Sequence, residues 1–452
     1  MGYNIRTYDH NQPFLLPPTL QEWLPDKELA WFVLDVVDQM DLSAFYQRYR
    51  HDGQGNALYD PKIMVALLIY AYCLGERSSR KIEQHCLRDI SFRVITANQL
   101  PDHATIARFR RDHLLLIEDL FVEVLRLCVS AGLVKVGLVA LDGTKMKANA
   151  SLAANRNKDQ LTEEVKKMLA EAEAHDVEED EKLGTKREEG ELPPDLWDRK
   201  TRLARLRECK ARLEAEEAHE QQEYQEKLKL REEKETESQH KLRGRKLKPP
   251  DESPPERKAN ATDPDSRIVK SSKGFVQGYN AQAIATEQQV IIAAAVTQQE
   301  NDVRQLHPML GLAKIYMEEA GLDAALGVVL GDAGYFSDEN LRAKADAELL
   351  IATLKDWKQR KALREQPPPR GRIPKGMCLR DRMERKLLTK RGRALYKKRG
   401  KTIEPIFGQV KDGRGIDRFL LRGVEGADGE WMLICATHNV LKLFRSGKMW
   451  VN

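Results

Sequence analysis

The stretch LVALDGTKMKA, residues 138–148, decides how the chain folds. Four apolar residues, Leu138 to Leu141, run straight into Asp142, with Gly143, Thr144 and Lys145 behind it. The run predicts a buried strand, and a carboxylate at its mouth is costly unless hydrogen-bonded, paired or bound to a metal. The pattern returns in GVVLGDAGYFS, residues 327–337, where the apolar run ends at Asp332. Two such strands set two acids at strand carboxyl ends, where the functional groups of open sheets gather.

The neighbouring segments complete a sheet. KGFVQGYNAQAIAT (273–286) and QQVIIAAAVTQQ (288–299) are β-rich runs whose short polar link suits a hairpin. NDVRQLHPMLGLAKIYMEEAG (301–321) predicts a helix, SDENLRAKADA a second one capped by Ser337, ELLIATLK (348–355) a strand, and EWMLICATHNVLKLFR (430–445) a last amphipathic helix. The expected fold class is α/β, a mixed sheet with helices on its faces. Ahead of it, residues 1–135 read as a helical domain. DPKIMVALLIYAYCLG has a wide apolar face, and PDHATIARFRRDHLLLIEDLFVEVLRLCVSAG runs at helical period from a cap at Asp102 to a stop at Gly132.

Charge divides the rest of the chain. The overall balance of +5 hides a segment, 355–401, with 19 Lys/Arg against four Asp/Glu, so the remainder carries −10. A polyphosphate backbone is the usual counter-charge for such a block, and a solvated basic surface is the bland alternative. Residues 155–265 hold 25 basic and 31 acidic side chains, with opposite charges three and four apart and Pro-Pro pairs at 193–194, 249–250 and 254–255. They predict an exposed helical hairpin or arm, with a thin stripe of Leu203, Leu206 and Leu213, interrupting a domain made of 136–154 and 266–448. The six cysteines are scattered, no apolar run is long enough for a membrane span, and the opening residues lack a signal-peptide core. A soluble cytoplasmic protein with no membrane partner is expected.

A third acid comes from TIEPIFGQVK, residues 402–411. Ile403, Phe407 and Val410 share a helical face, Glu404 stands on its flank, Thr402 is placed to cap, and Lys411 follows two turns on. Asp142, Asp332 and Glu404 together can hold two divalent ions about 3.5–4 Å apart, the arrangement that cuts phosphodiesters. An all-oxygen donor set favours Mg²⁺, with Mn²⁺ as substitute. Each acid also has an ordinary use, as a turn residue or a complement to a helix dipole. The aspartate-nucleophile phosphatases share a similar Asp-Gly-Thr loop, but Ala140 stands here at the nucleophile position.

LDGTKMKANAS, KGFVQGYNAQ, VTQQENDVRQLHPML, LGDAGYFSDENL and KTIEPIFGQVK resemble successive blocks of bacterial insertion-sequence transposases of the DDE class, closest to the group numbered eleven-eighty-two. YDPKIMVALLIYAYCLGERSSRKIE and PDHATIARFRR resemble that group's helical front domain. The resemblance implies an RNase H-like catalytic domain with Asp142, Asp332 and Glu404 as its acids, two Mg²⁺ ions, and double-stranded DNA as partner. That DNA would be terminal inverted repeats and target, bound by a homodimer at the bacterial nucleoid, with no small-molecule substrate. It also implies a Tyr–Arg–Glu–Lys signature. Lys411 fits it, while Tyr396 and Arg399 lie upstream with Arg399 one residue farther from Glu404 than the pattern asks. Asp302 and Asn280 fall in matching blocks as accessory residues, with a helix cap and a strand-edge hydrogen bond as their ordinary uses.

For DNA contact, Arg108, Arg110 and Arg111 stand early in a helix after a loop, as a recognition helix presents them, and equally as a solvated face does. Arg77 and Arg80 are further phosphate contacts. Lys397, Lys398 and Lys401 precede Glu404 directly, beside the expected scissile strand. A catalytically silent DNA-binding descendant and a non-specific RNase H-like nuclease are the competing functions.

Overall fold

Why a strand should continue past its buried half is answered by its neighbours. In the computed structural model, residues 19–49, 58–168, 194–238, 258–271, 274–343, 345–354, 367–374 and 376–448 are described, with isolated positions between 359 and 365. Six strands form one sheet: β1 Leu138–Lys147, β2 Arg267–Ser271, β3 Gly274–Thr286, β4 Ile291–Thr297, β5 Val328–Gly331 and β6 Glu348–Ile351. β3 lies antiparallel to β1 on one edge; on its other edge it pairs with β2 near its start and with β4 beyond. β1, β5 and β6 run parallel. The order β4-β3-β1-β5-β6 is that of a mixed sheet compatible with an RNase H-like fold.

β1 runs past Asp142, where its apolar run has ended, on to Lys147. β3 goes on pairing with it: Asp142 stands opposite Ala283 and Lys145 opposite Asn280. On its other side the pairing with β5 stops at Ala140–Leu330. Past that point β1 keeps its partner on one edge and opens on the other until Lys147, whose backbone bonds Asp417 and Phe419.

The five longest helices among the described residues are α1 Pro61–Cys73, α2 Ile117–Ser130, α3 Pro194–Ser238, α4 Leu306–Glu319 and α5 Val424–Ser446. α1 starts with Pro61 behind Asp60, whose carboxylate accepts from the Lys62 amide, and is buried nearly all round, as a central helix must be. α5 packs against α1, α2 and β4. The front helices and the sheet therefore share one buried cluster, from Val36, Leu67 and Phe121 to Val139, Ile292 and Trp431. Asp102 caps its helix through the Thr105 amide, and Gly132 sits at φ +65° after α2, as its sequence position predicts.

In the charged region, residues 158–168 and α3 lie antiparallel: Lys158 reaches Glu217 at 2.9 Å while Glu164 faces Arg202 at 3.9 Å. This hairpin has a small core of its own, which the leucine stripe alone did not predict. Leu161 packs with Leu206, Cys209, Leu213 and Ala259. Leu203 is only half-buried. Residues 169–193 and 239–257 of the predicted arm lie outside the described residues. Among the described residues, no helix is long and apolar enough to cross a membrane.

Candidate active site

The open edge of β1 is where the acids meet. Ala140 and Leu330 are the last paired residues of β1 and β5, and Asp142 and Asp332 each stand two residues beyond them. Two residues is one strand repeat, so the adjacent parallel strands deliver both carboxylates to the same rim. Asp142 Oδ1 accepts from the Gly143 amide at 3.0 Å, and Asp332 Oδ1 from the Gly334 amide at 2.7 Å.

Glu404 arrives from the helix Glu404–Gly408, with Pro405 in its first turn. Thr402 does not cap that helix. It belongs to the preceding turn, Arg399–Thr402, where its hydroxyl donates to the Lys398 carbonyl at 3.0 Å. Arg399 joins the helix acid to the strand acid. Its Nη2 donates to Asp142 Oδ2 at 2.6 Å and its Nη1 to Glu404 Oε1 at 3.1 Å, while its Nε has no partner among the described residues.

A fourth acid completes the cluster. Asp302 precedes a short 3₁₀ turn but makes no capping bond. Its Oδ1 instead accepts from Asn280 Nδ2 at 2.7 Å and Gln282 Nε2 at 2.8 Å, with Lys145 Nζ at 3.6 Å. Tyr335 donates its hydroxyl to Gln282 Oε1. Gln282, Tyr335 and Lys145 were not singled out by the sequence, though Gln282 lies one strand repeat from Asn280. Lys411 donates to the Lys145 carbonyl at 2.8 Å, and the Tyr396 hydroxyl to the Gly331 carbonyl at 3.1 Å.

Burial, with the charges of Asp332 and Asp302 adding to it and Arg399 opposing, pushes Asp142 up to about 7. The folded chain thus holds a proton there that the unfolded chain releases near 3.8. The stability this contributes is fully present below about 3.8 and is lost as pH rises through 7. Asp142→Asn has no proton to lose. Its stability relative to the native chain should therefore climb between pH 4 and 8, read as the difference in thermal midpoint in metal-free buffer.

Two glycines make room for the cluster. A Cβ on Gly143 would lie 2.3 Å from Gln282 Nε2 and 2.8 Å from Asp302 Oδ1; one on Gly334 would lie 2.9 Å from Asp332 Oδ1. Gly143→Ala is expected to cost about 1–3 kcal/mol through overpacking, seen as a lower denaturant midpoint.

The basic residues divide sharply. Arg77 and Arg110 are buried, which removes them from the proposed DNA contacts. Arg110 donates to the Tyr72 hydroxyl and the Arg77 carbonyl, and Arg77 pairs with buried Glu430 at 2.7 Å. Arg80, Arg108 and Arg111 are exposed, as are Lys397 and Lys401, while Lys398 pairs with Glu287 at 2.7 Å. Several other cations of the basic segment are committed to the fold, such as Arg391, bidentate on Glu348.

Among the described residues, no three acid, histidine or cysteine side chains gather closely enough to hold a metal ion. The donor chemistry nevertheless fits a hard divalent cation. Asp142 and Glu404 share Arg399 and Asp302 faces Lys145, so a cation already stands between Asp142 and Glu404.

Residues 18–112 match the family described as transposase domain (DUF772), and residues 374–444 match the transposase DDE domain. The second match includes Arg399, Glu404 and Lys411; Asp142 and Asp332 lie outside both. No curated protein and no solved structure matches the chain significantly. The two matches, a transposase domain at the front and a transposase DDE domain on the mixed sheet, support an insertion-sequence DDE transposase.

Proposed function

We propose that the protein cuts DNA at the ends of an insertion sequence and joins them to a target by metal-dependent phosphodiester chemistry, with no covalent enzyme–DNA intermediate. What supports this is the delivery of Asp142 and Asp332 to one rim by adjacent parallel strands, with Glu404 tied to the same place through Arg399. Asp142, Asp332 and Glu404 would hold two Mg²⁺ ions, or Mn²⁺. Bound there, such ions make water or a sugar hydroxyl nucleophilic at neutral pH and stabilise the leaving oxygen. Hydrolysis puts a water oxygen on phosphorus and frees a 3′-hydroxyl, which in the joining step attacks a target phosphodiester and displaces its 3′-oxygen.

The chain's own residues do the positioning. Asn280 and Gln282 fix Asp302, and with it the approach to Asp332 across Gly334. Lys411, with Tyr396 and Arg399, would contact phosphate. Lys397, Lys398 and Lys401 would track the strand, with Arg80, Arg108 and Arg111 on the front helices. The protein would work as a homodimer on its inverted repeats.

Duplexes carrying the element's ends, labelled and incubated with Mg²⁺, test the reading. Cleavage at the ends supports it. Cleavage indifferent to end sequence makes the protein a general nuclease, and binding without cleavage makes it a silent descendant. Binding itself should weaken steeply with salt, and Lys397→Ala with Lys401→Ala should lower the slope of log K against log salt by about 0.9 for each phosphate left un-neutralised.

A further inference from the structure

The ion pairs that tie the site together are also ones that a metal ion would have to undo. The Arg399 side chain is 13% exposed and spans Asp142 and Glu404, 2.6 and 3.1 Å away. A guanidinium forks bidentately between carboxylate oxygens and carries one positive charge. A divalent ion seeking the same oxygens meets both a competitor for its ligands and a like charge.

We propose that Arg399 is a displaceable internal cation. In the free protein its guanidinium occupies the place between Asp142 and Glu404, and metal entry expels it. The released fork then becomes a phosphate ligand for the bound strand, so that metal and DNA loading help one another. This rests on reading Asp142 and Glu404 as metal ligands, and it deepens that reading by giving the site an order of assembly.

Three features support it. Arg399 opens a four-residue turn and does not stand inside a long helix, and its side chain keeps a 13% opening to solvent. Its Nε finds no partner among the described residues, so part of the fork is left unsatisfied by them. Asp142 and Glu404, the two carboxylates that Arg399 spans, both lose their cation once it swings away, and a hard divalent ion is the replacement that oxygen donors favour.

The test measures Mn²⁺ binding to the full chain without DNA, by the loss of the free-ion EPR signal. A latch closed about 90–99% of the time lowers apparent affinity ten- to a hundredfold. Arg399→Ala should therefore bind Mn²⁺ at least about tenfold more tightly than the native chain. Arg399→Lys separates the latch from simple repulsion. Lysine keeps the charge but cannot span two carboxylates, so it too should tighten Mn²⁺ binding. In a second arm, Ca²⁺ should raise the affinity of the native chain for an end duplex, and this gain should vanish in Arg399→Ala.

Arg399 variants that fold, by circular dichroism, and bind Mn²⁺ no more tightly than the native chain overturn the latch. If Asp142→Asn leaves Mn²⁺ binding unchanged, the ligand assignment itself is wrong and the latch falls with it. If Asp142→Asn weakens binding while neither Arg399 variant strengthens it, only the latch fails.

Discussion

Asp142→Asn is expected to lower metal-dependent cleavage of element ends by at least about a thousandfold while leaving the fold intact. An ion that acts as Lewis acid supplies several kcal/mol of transition-state stabilisation, and each 1.36 kcal/mol is a factor of about ten in rate. Asparagine keeps the shape of the carboxylate but not its charge. At neutral pH it also relieves the burial that pushes Asp142 up to about 7, so thermal stability should not fall. Asp332→Asn should match it in size, because both acids leave their strands at the same register. The two effects should not add, since residues acting as one unit lose their function together. Glu404 is 60% exposed and its replacement by Gln should be neutral for stability, so a loss of rate there cannot be blamed on unfolding. Cleavage by Asp142→Asn within tenfold of the native chain would remove the acids from the chemistry.

The sheet and its acids were legible because each rests on a local contrast. A charge directly after an apolar run is odd in LVALD and in VVLGD, and strand pairing then brings the two together without any further signal. Arg399 was legible only as a spacing, and one residue out of place. Its hydrogen bond to Asp142 joins positions 257 apart, and no periodicity encodes that. The apolar run stops at Leu141 while β1 goes on through GTKMK to Lys147, because β3 remains its partner there. Arg110 is a different kind of miss. Ile106, Phe109, Arg110 and His113 recur at i, i+3, i+4 and i+7 and are all buried, so the arginine sits on the apolar stripe of its own helix. Its position marked it as structural, and its charge hid that. Cys209 was overlooked in the same way between Leu206 and Leu213, where a small apolar thiol extends the stripe by helical spacing.

The same misread arginines lead to the largest expected effect on stability. Arg77→Ala, or Glu430→Gln, should destabilise the chain by about 3–5 kcal/mol, the cost of leaving one member of a buried pair alone. Glu430 is 1% exposed and every part of its carboxylate is engaged. Oε1 accepts from Arg77 Nη1 at 2.7 Å, and Oε2 from the Leu420 and Leu421 amides at 2.7 and 2.9 Å. Arg77 Nη1 also donates to the Arg418 carbonyl, and the Arg77 carbonyl accepts from Arg110. Replacing both partners with methionine should recover much of the loss, because an apolar pair leaves no orphaned charge. A double-mutant cycle by urea unfolding reads this directly, and single-variant losses below about 1 kcal/mol would show that water reaches the pair. The consequence extends to the site. Glu430 holds the turn that continues from Asp417 and Phe419, and those two residues bond the backbone of Lys147 at the end of β1. Loosening the pair frees the strand that carries Asp142. Arg77→Ala should therefore lose cleavage at temperatures where the chain is still folded, although Arg77 stands outside the cluster of Asp142, Asp332, Asp302 and Glu404.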